Sequence, residues 1–378
     1  MNRLAAAVVL ALVVAVVPVA RSGHELPIYP SYYPHEIEIT TVSPPRAADL
    51  LVSGKLHAYV GRLAEPAGAP PGSIRAVESL GAFLIVRVNP ESPLARESAC
   101  AVAQAVIAHL DASGFLLHPY PVTPWHGDYL HHADLAEAAK ARYLRVAGAP
   151  ITAPLKVRAV GDAARRAVRP DWIAHGSDWD AELNEVDAAD LVASATLAMN
   201  GWIGPDWLRT GWFHAELLLG DAAGDQRERA DTAFRRLTTR DYDTLVARIN
   251  DERQLITALT AGCRKVVAGY TVKREYYNAE FSAGIENVGH DALAGLHSPM
   301  FIRTVKLKDF PWNGWLALGI DAPPAAAWNP IAGMNDPFGR LMWFALGDPA
   351  LLPSPYDAGW MLNRIADVRP GGRARAGE

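Results

Sequence analysis

The stretch "IEITTVSPPRAADLLVSGKLHAYVG", residues 37–61, frames the reading of the whole chain. "IEITTV" alternates in the two-residue period of a strand whose side chains point to opposite faces. Pro44 and Pro45 then stand where a helix starts, apolar residues recur at helical spacing through Leu51, and Gly54 lies near the stop. "HAYVG" is a second short strand-like run, so the order is strand, helix, strand.

Working outward, residues 24–46 are rich in Pro and Tyr and read as an extended start. Downstream, the Gly/Pro linker "GAPPGS" leads into "AFLIVRV", residues 82–88, an apolar, β-branched run that suits a buried strand. "ACAVAQAVIAHLDASG" follows as a helix that stops at Gly114. The order strand, helix with "SGK" near its end, and strand reading "HAYVG" resembles one half-lobe of a type 2 periplasmic solute-binding protein. The resemblance covers residues 36–90. It implies a small-molecule ligand, and it departs from the family at His57, where an Asp is common.

The amino terminus explains how such a chain would leave the cytoplasm. Arg3 precedes an uninterrupted apolar run from Leu4 to Val17, the pattern of a secretory signal, and the small residues Ala20 and Ser22 favour cleavage after Ser22. The alternative is an uncleaved anchor, since Leu4 to Ala20 is at the short limit for crossing a bilayer. With only Cys100 and Cys263 present, a Cys-rich zinc or iron–sulfur site is excluded. In an oxidising compartment the pair favours a disulfide closing a loop of about 160 residues; two separate buried thiols are the alternative.

From residue 180 the texture changes. "DAELNEVDAADLVASATLAM", "PDWLRTGWFHAELLLGDAA", "QRERADTAFRRL" and the long run from Arg240 to Leu296 carry apolar residues at i, i+3, i+4 and i+7, which predicts a mainly helical region. The carboxyl-terminal part is punctuated by Pro and Gly, with one helix expected at "PFGRLMWFAL". The expected fold class is therefore α+β, mixed. Residues 1–22 form the signal peptide, 23–117 a small α/β portion, and 118–179 a connecting segment. A larger mainly helical portion, 180–365, ends in a loop-rich, Trp-rich stretch, and 366–378 form a disordered tail.

Three groups of residues are candidates for chemistry. "HPYPVTPWHGDYLHHADLAEAAKARY", residues 118–143, holds four of the twelve histidines; His126, Asp128 and His131 are candidate ligands for a transition metal, and Asp128 is alternatively a helix cap. His214 in "FHAE" and the i, i+4 pair Glu286 and His290 extend that set, with Glu280 nearby. No H-E-x-x-H or paired Glu-x-x-His completes a known coordination motif. A mature terminus beginning at Gly23 and His24 is read as a flexible end.

Tryptophan supplies the third group, because ten of eleven lie between residues 172 and 360. Aromatic rings with a polar handle line pockets and equally fill cores. Trp212, Trp312 and Trp315, with Asn313 and Arg340 in neighbouring Gly/Pro loops and with His57, are the candidate ligand-binding residues.

The net charge is −5 with 20% charged residues, so nothing neutralises a nucleic-acid backbone. There is no G-x-S-x-G elbow, Gly-rich phosphate loop or C-x-x-C-H haem motif. The sequence thus reads as an exported, periplasmic ligand-binding or partner-docking protein without intrinsic catalysis. Its partner is a small molecule or a periplasmic protein, and membrane contact is expected only through an uncleaved N-terminal segment. The alternative is a metal-dependent enzyme or an accessory subunit of a redox complex, with a transition metal as cofactor.

Overall fold

The computed structural model describes residues 34–70, 72–144, 154–191, 205–220, 222, 224–280, 283–309, 314–324, 336–347, 349–363 and 365–367. The expected signal peptide (residues 1–22), Trp312, Asn313 and almost all of the 366–378 stretch lie outside them.

The opening strand–helix–strand reading matches the chain: β1 (Glu36–Thr41), α1 (Pro44–Val52) and β2 (Ala58–Val60) follow in order. β3 (Ile74–Val88) and α2 (Pro93–Ala108) come next, then β4 (Leu116–Leu117), α3 (Ala133–Leu144), β5 (Val157–Val160), α4 (Asp162–Ala167) and β6 (Ala181–Asp187). Three helices form a layer, α5 (Gly211–Leu219), α6 (Asp225–Thr239) and α7 (Leu245–Thr260), before the long β7 (Lys265–Asn278). The chain ends through β8 (Ile285–Glu286), α8 (Pro299–Thr304), β9 (Lys306–Leu307), β10 (Trp315–Ile320), α9 (Pro337–Leu346), β11 (Leu351–Pro353) and β12 (Trp360–Leu362).

One mixed sheet, ordered β1-β10-β2-β7-β3-β6-β5 with β4 also on β7, organises these elements. β3 and β7 pair antiparallel along nearly their whole lengths, from Ile74 opposite Asn278 to Arg87 opposite Lys265. At one end β2 joins β7 opposite Tyr277 and leads to β10 and β1; at the other, β6 joins β3 from Ala82 to Val88 and leads to β5. The apolar clusters packed on the two ends of this sheet are separate, the β1-β10-β2 end forming the first lobe and the β6-β5 end the second.

Strand alternation divides each lobe into two buried faces. In the second lobe Phe83 and Ile85 face the core under α5, α6 and α7, whereas Leu84, Val86 and Val88 face α2 and α4. In the first lobe Val77 packs with Phe301 and Leu341 of α8 and α9, while Tyr276 packs with Ala47 and Leu51 of α1. Cys100 of α2 and Cys263, just beyond α7, form the disulfide that an even cysteine count favoured.

The mainly helical reading of 180–297 needs correction at both ends. "AELNEVD" is β6 and "KVVAGYTVKREYYN" is β7, because both are pinned in register against β3. Their apolar residues fit a helical spacing in isolation, but a strand buried on both faces also reads as a near-continuous apolar run. The segment 118–179 is more than a connector, since β5 closes an edge of the sheet and α3 and α4 pack beside it. The helix expected at "PFGRLMWFAL" is α9, with Asp336 accepting from the amides of Phe338 and Gly339. No helix among the described residues is long and apolar enough to cross a membrane.

Candidate functional site

Between the lobes the β3–β7 ladder slips, with a register shift from Leu80 to Phe83. Gly81 permits it: a Cβ there would meet the Thr271 hydroxyl at 2.6 Å and the Thr271 carbonyl at 3.0 Å. The Thr271 hydroxyl instead accepts from Ala82 N–H at 2.9 Å, and Leu80 N–H donates out of the ladder to Ala292 O. Such a bulge bends and twists a strand pair locally.

Charged groups gather at this seam. Lys273 and Glu275 are two apart on β7 and share a face. The Glu275 carboxylate, fully buried, accepts from Leu296 N–H at 2.7 Å and lies 3.3 Å from both Lys273 Nζ and His297 Nδ1. Gly295 has φ +63°, and a Cβ there would collide with that carboxylate, so the 291–297 loop can close over it only with glycine at this place. Burial alone would raise the Glu275 carboxyl, but the Lys273 ammonium and His297 outweigh it and hold the group below its usual 4.5. Ser79 Oγ, Glu275 Oε1 and His297 Nε2 have no hydrogen-bond partner among the described residues.

Arg209 reaches the seam from the start of α5. Its guanidinium donates to Ser354 O at 2.8 Å and lies 3.5 Å from Asp291. Arg62, just after β2, contacts Asp187 at 2.5 Å and Glu185 at 3.7 Å, both on β6. Each arginine thus ties one lobe to the other.

A second buried polar cluster lies under the helical layer. Of the candidate metal ligands, the structure brings together His126, Asp128 and His214. Thr123 N–H donates to His126 Nδ1, so the His126 proton sits on Nε2 and points 2.9 Å to His214 Nδ1. Burial pushes His126 down to about 3 and His214 well below its ordinary value, so both rings are neutral. Asp128 accepts from Gly211 N–H with both oxygens at 3.0 Å; it caps α5 across space rather than the helix that follows it. His132 replaces His131 in the interior: His131 is exposed, whereas the His132 ring, bonded to Tyr120 OH at 2.9 Å, approaches Glu252 at 3.7 Å. Donor atoms of Asp128, His132 and Glu252 lie within 4.8 Å of one another.

The other candidates go elsewhere. Glu286 and His290 are exposed around the short β8–β9 ladder, and Glu280 accepts from Ala283 N–H in a turn. Trp212 is core, packed with Trp207, Phe213 and Phe234, while Trp315 is 70% exposed at the start of β10. His57 Nδ1 accepts from Ala317 N–H, extending the β2–β10 pairing, and burial lowers its pKa. Burial also lowers the Arg340 pKa on α9. Sequence reasoning missed the whole seam cluster and, in the second cluster, His132, Tyr120 and Glu252. Two signals were available: Lys273 and Glu275 share a face once "KREYYN" is a strand, and Glu252 stands on the stripe of Leu255, Ile256 and Leu259.

No family profile matches this chain, and no curated protein matches it. Solved structures do. The chain is similar to periplasmic solute-binding proteins. NikZ from Campylobacter jejuni, in complex with Ni(L-His), is 13% identical with a TM-score of 0.37, covering 67% of this chain and 58% of that one. The periplasmic EDTA-binding protein EppA is 11% identical with a TM-score of 0.40, covering 70% and 57%. NikA from Brucella suis, in complex with Fe(III)-EDTA, is 11% identical with a TM-score of 0.35, covering 67% and 58%. The chain spans less than three fifths of the length of each.

Proposed function

We propose that this protein is an exported solute-binding protein that closes its two lobes on a small polar molecule by bending at the β3–β7 seam. The observation that carries the reading is the buried Glu275 carboxylate flanked by the part-buried Lys273 and His297 at a register shift in the paired strands that join the lobes. Hinges absorb backbone change in a few residues while packed lobes move as bodies, and the irregular Leu80–Phe83 stretch with Gly81 suits that role. Ser79 Oγ and His297 Nε2 supply directed polar groups that a solute would satisfy. The apolar amino terminus and the Cys100–Cys263 bridge support an oxidising, extracytoplasmic compartment. Catalysis is not part of the reading; Trp315 and Arg340, together with Trp312 and Asn313 outside the described residues, remain candidate ligand-binding residues.

The test is a solute screen read by tryptophan fluorescence, with small-angle scattering on each hit. A saturable response with a reduced radius of gyration, weakened by Lys273→Met or Glu275→Gln, is expected. A hit that binds with the radius unchanged, or with affinity indifferent to both variants, would remove the seam from the binding site.

A further inference from the structure

We infer that Asp128, His132 and Glu252 form a binding site for one divalent transition-metal ion, with Zn2+ as the reference ion, in the interior of the second lobe. The site goes beyond the solute-binding reading and does not depend on it.

All three side chains are interior: Asp128 is 8% exposed, and His132 and Glu252 are 0% exposed. Their donor atoms lie within 4.8 Å of one another, whereas ligands at zinc–nitrogen and zinc–oxygen distances of about 2 Å stand about 3.3 Å apart in a tetrahedron. Side-chain adjustment of about 1.5 Å or less would bring them to one ion. Asp128 and His132 are four apart in the segment entering α3, and Glu252 comes from α7, so an ion would fasten that segment to the helical layer.

The unmade bonds point to a ligand. Among the described residues His132 Nε2 and both Glu252 oxygens are buried with no hydrogen-bond partner, and Nε2 stops 3.7 Å short of Oε2. The Arg248 guanidinium is 3.4 Å from Glu252, and its Nε has no hydrogen bond among the described residues either. A buried polar group left unpaired costs about 1–3 kcal/mol, and more if charged, so several side by side are unusual without an occupant. Tyr120 completes the arrangement. If its hydroxyl oxygen accepts from His132 Nδ1–H at 2.9 Å, the Nε2 lone pair is left open, the role that outer partners of metal-ligating histidines play. One imidazole and two carboxylates suit Zn2+, Mn2+ or Fe2+, and the bridged cysteines offer no thiolate for a softer ion.

The experiment uses untagged full-length protein, stripped with chelator and desalted, titrated with ZnCl2 by calorimetry and assayed for metal content. One ion per chain is expected, with a rise in melting temperature on adding Zn2+. His132→Ala and Glu252→Gln should each weaken binding roughly 100-fold or more, and Tyr120→Phe about tenfold. His131→Ala, the exposed neighbour, should leave it unchanged. Because the buried variants can fail to fold, Co2+ is added to wild type as well, where visible absorption from a low-coordinate nitrogen–oxygen site is expected. No stoichiometric uptake by wild type, binding that survives both His132→Ala and Glu252→Gln, or binding lost in His131→Ala would each overturn the site.

Discussion

At the seam, Glu275 is fully buried and yet its carboxyl is held below 4.5, while under the helical layer the equally buried His126 is pushed down to about 3 and stays uncharged. Desolvation is the largest single influence on both. The outcome differs because β7 and the 291–297 loop place an ammonium and an imidazole 3.3 Å from Glu275, whereas His126 is offered only Thr123 and another neutral ring. Charge survives burial where the fold supplies a partner, and is given up where it does not. The seam therefore keeps charge in the interior, while the histidine pair stays neutral there.

The sharpest way to break this contrast is Glu275→Ala, which strands Lys273 and should cost about 3–5 kcal/mol in thermal unfolding. Adding Lys273→Met should recover much of that loss, and a single change costing less than about 1 kcal/mol would remove the claim that the pair is mutually dependent. For the neutral pair, His214→Leu leaves His126 Nε2–H buried without an acceptor and should cost about 1–3 kcal/mol in urea unfolding. The double change with His126→Leu should cost less than the sum of the two singles, and strict additivity would show that the rings are not coupled.

Acid provides a smaller test. Because the Glu275 carboxyl titrates below its unfolded value, its stabilisation is complete above pH 4.5 and is lost as pH falls through the lowered folded value. Wild type should accordingly lose more stability between pH 6 and pH 3 than Glu275→Gln does, measured as paired melting curves; parallel losses would contradict the sign. The smallest effect is expected at the lobe-to-lobe contacts, since Arg62 is half exposed and Arg62→Ala should change global stability by no more than about 1 kcal/mol. Faster amide exchange confined to the two lobe faces would then locate the change, and a large global loss would mean that Arg62 supports the fold itself.

Legibility differed along the chain for identifiable reasons. β1, α1, β2 and α9 could be read locally because each carries its own period and stop signals, such as Pro44, Gly54 and the Asp336 cap, whereas α2 ends at Ala108, before the stop expected at Gly114. β6 and β7 could not, because strands buried on both faces lose the alternation that marks a half-exposed strand. Within the candidate site, "FHAE" folds against "HGDYLHH" through His214 and His126, whereas Glu286 and His290 remain at the surface. Choosing His132 over His131 required the direction of the short turn at Tyr129–His132 and the position of α7 behind it.

By itself, the sequence determined the cysteine arithmetic that favoured a bridge and the amino-terminal strand–helix–strand unit, while the export segment and the exclusion of nucleic acid as a partner stand as expectations from it. Each follows from composition or from residues close together in the chain. Tertiary structure alone decided that two long strands join two lobes, that Ser79, Lys273, Glu275 and His297 meet at their seam, and that Glu252 comes to His132 from 120 positions away. Burial and the distance between charges are properties of the packed chain, and they turn ordinary polar residues into a site.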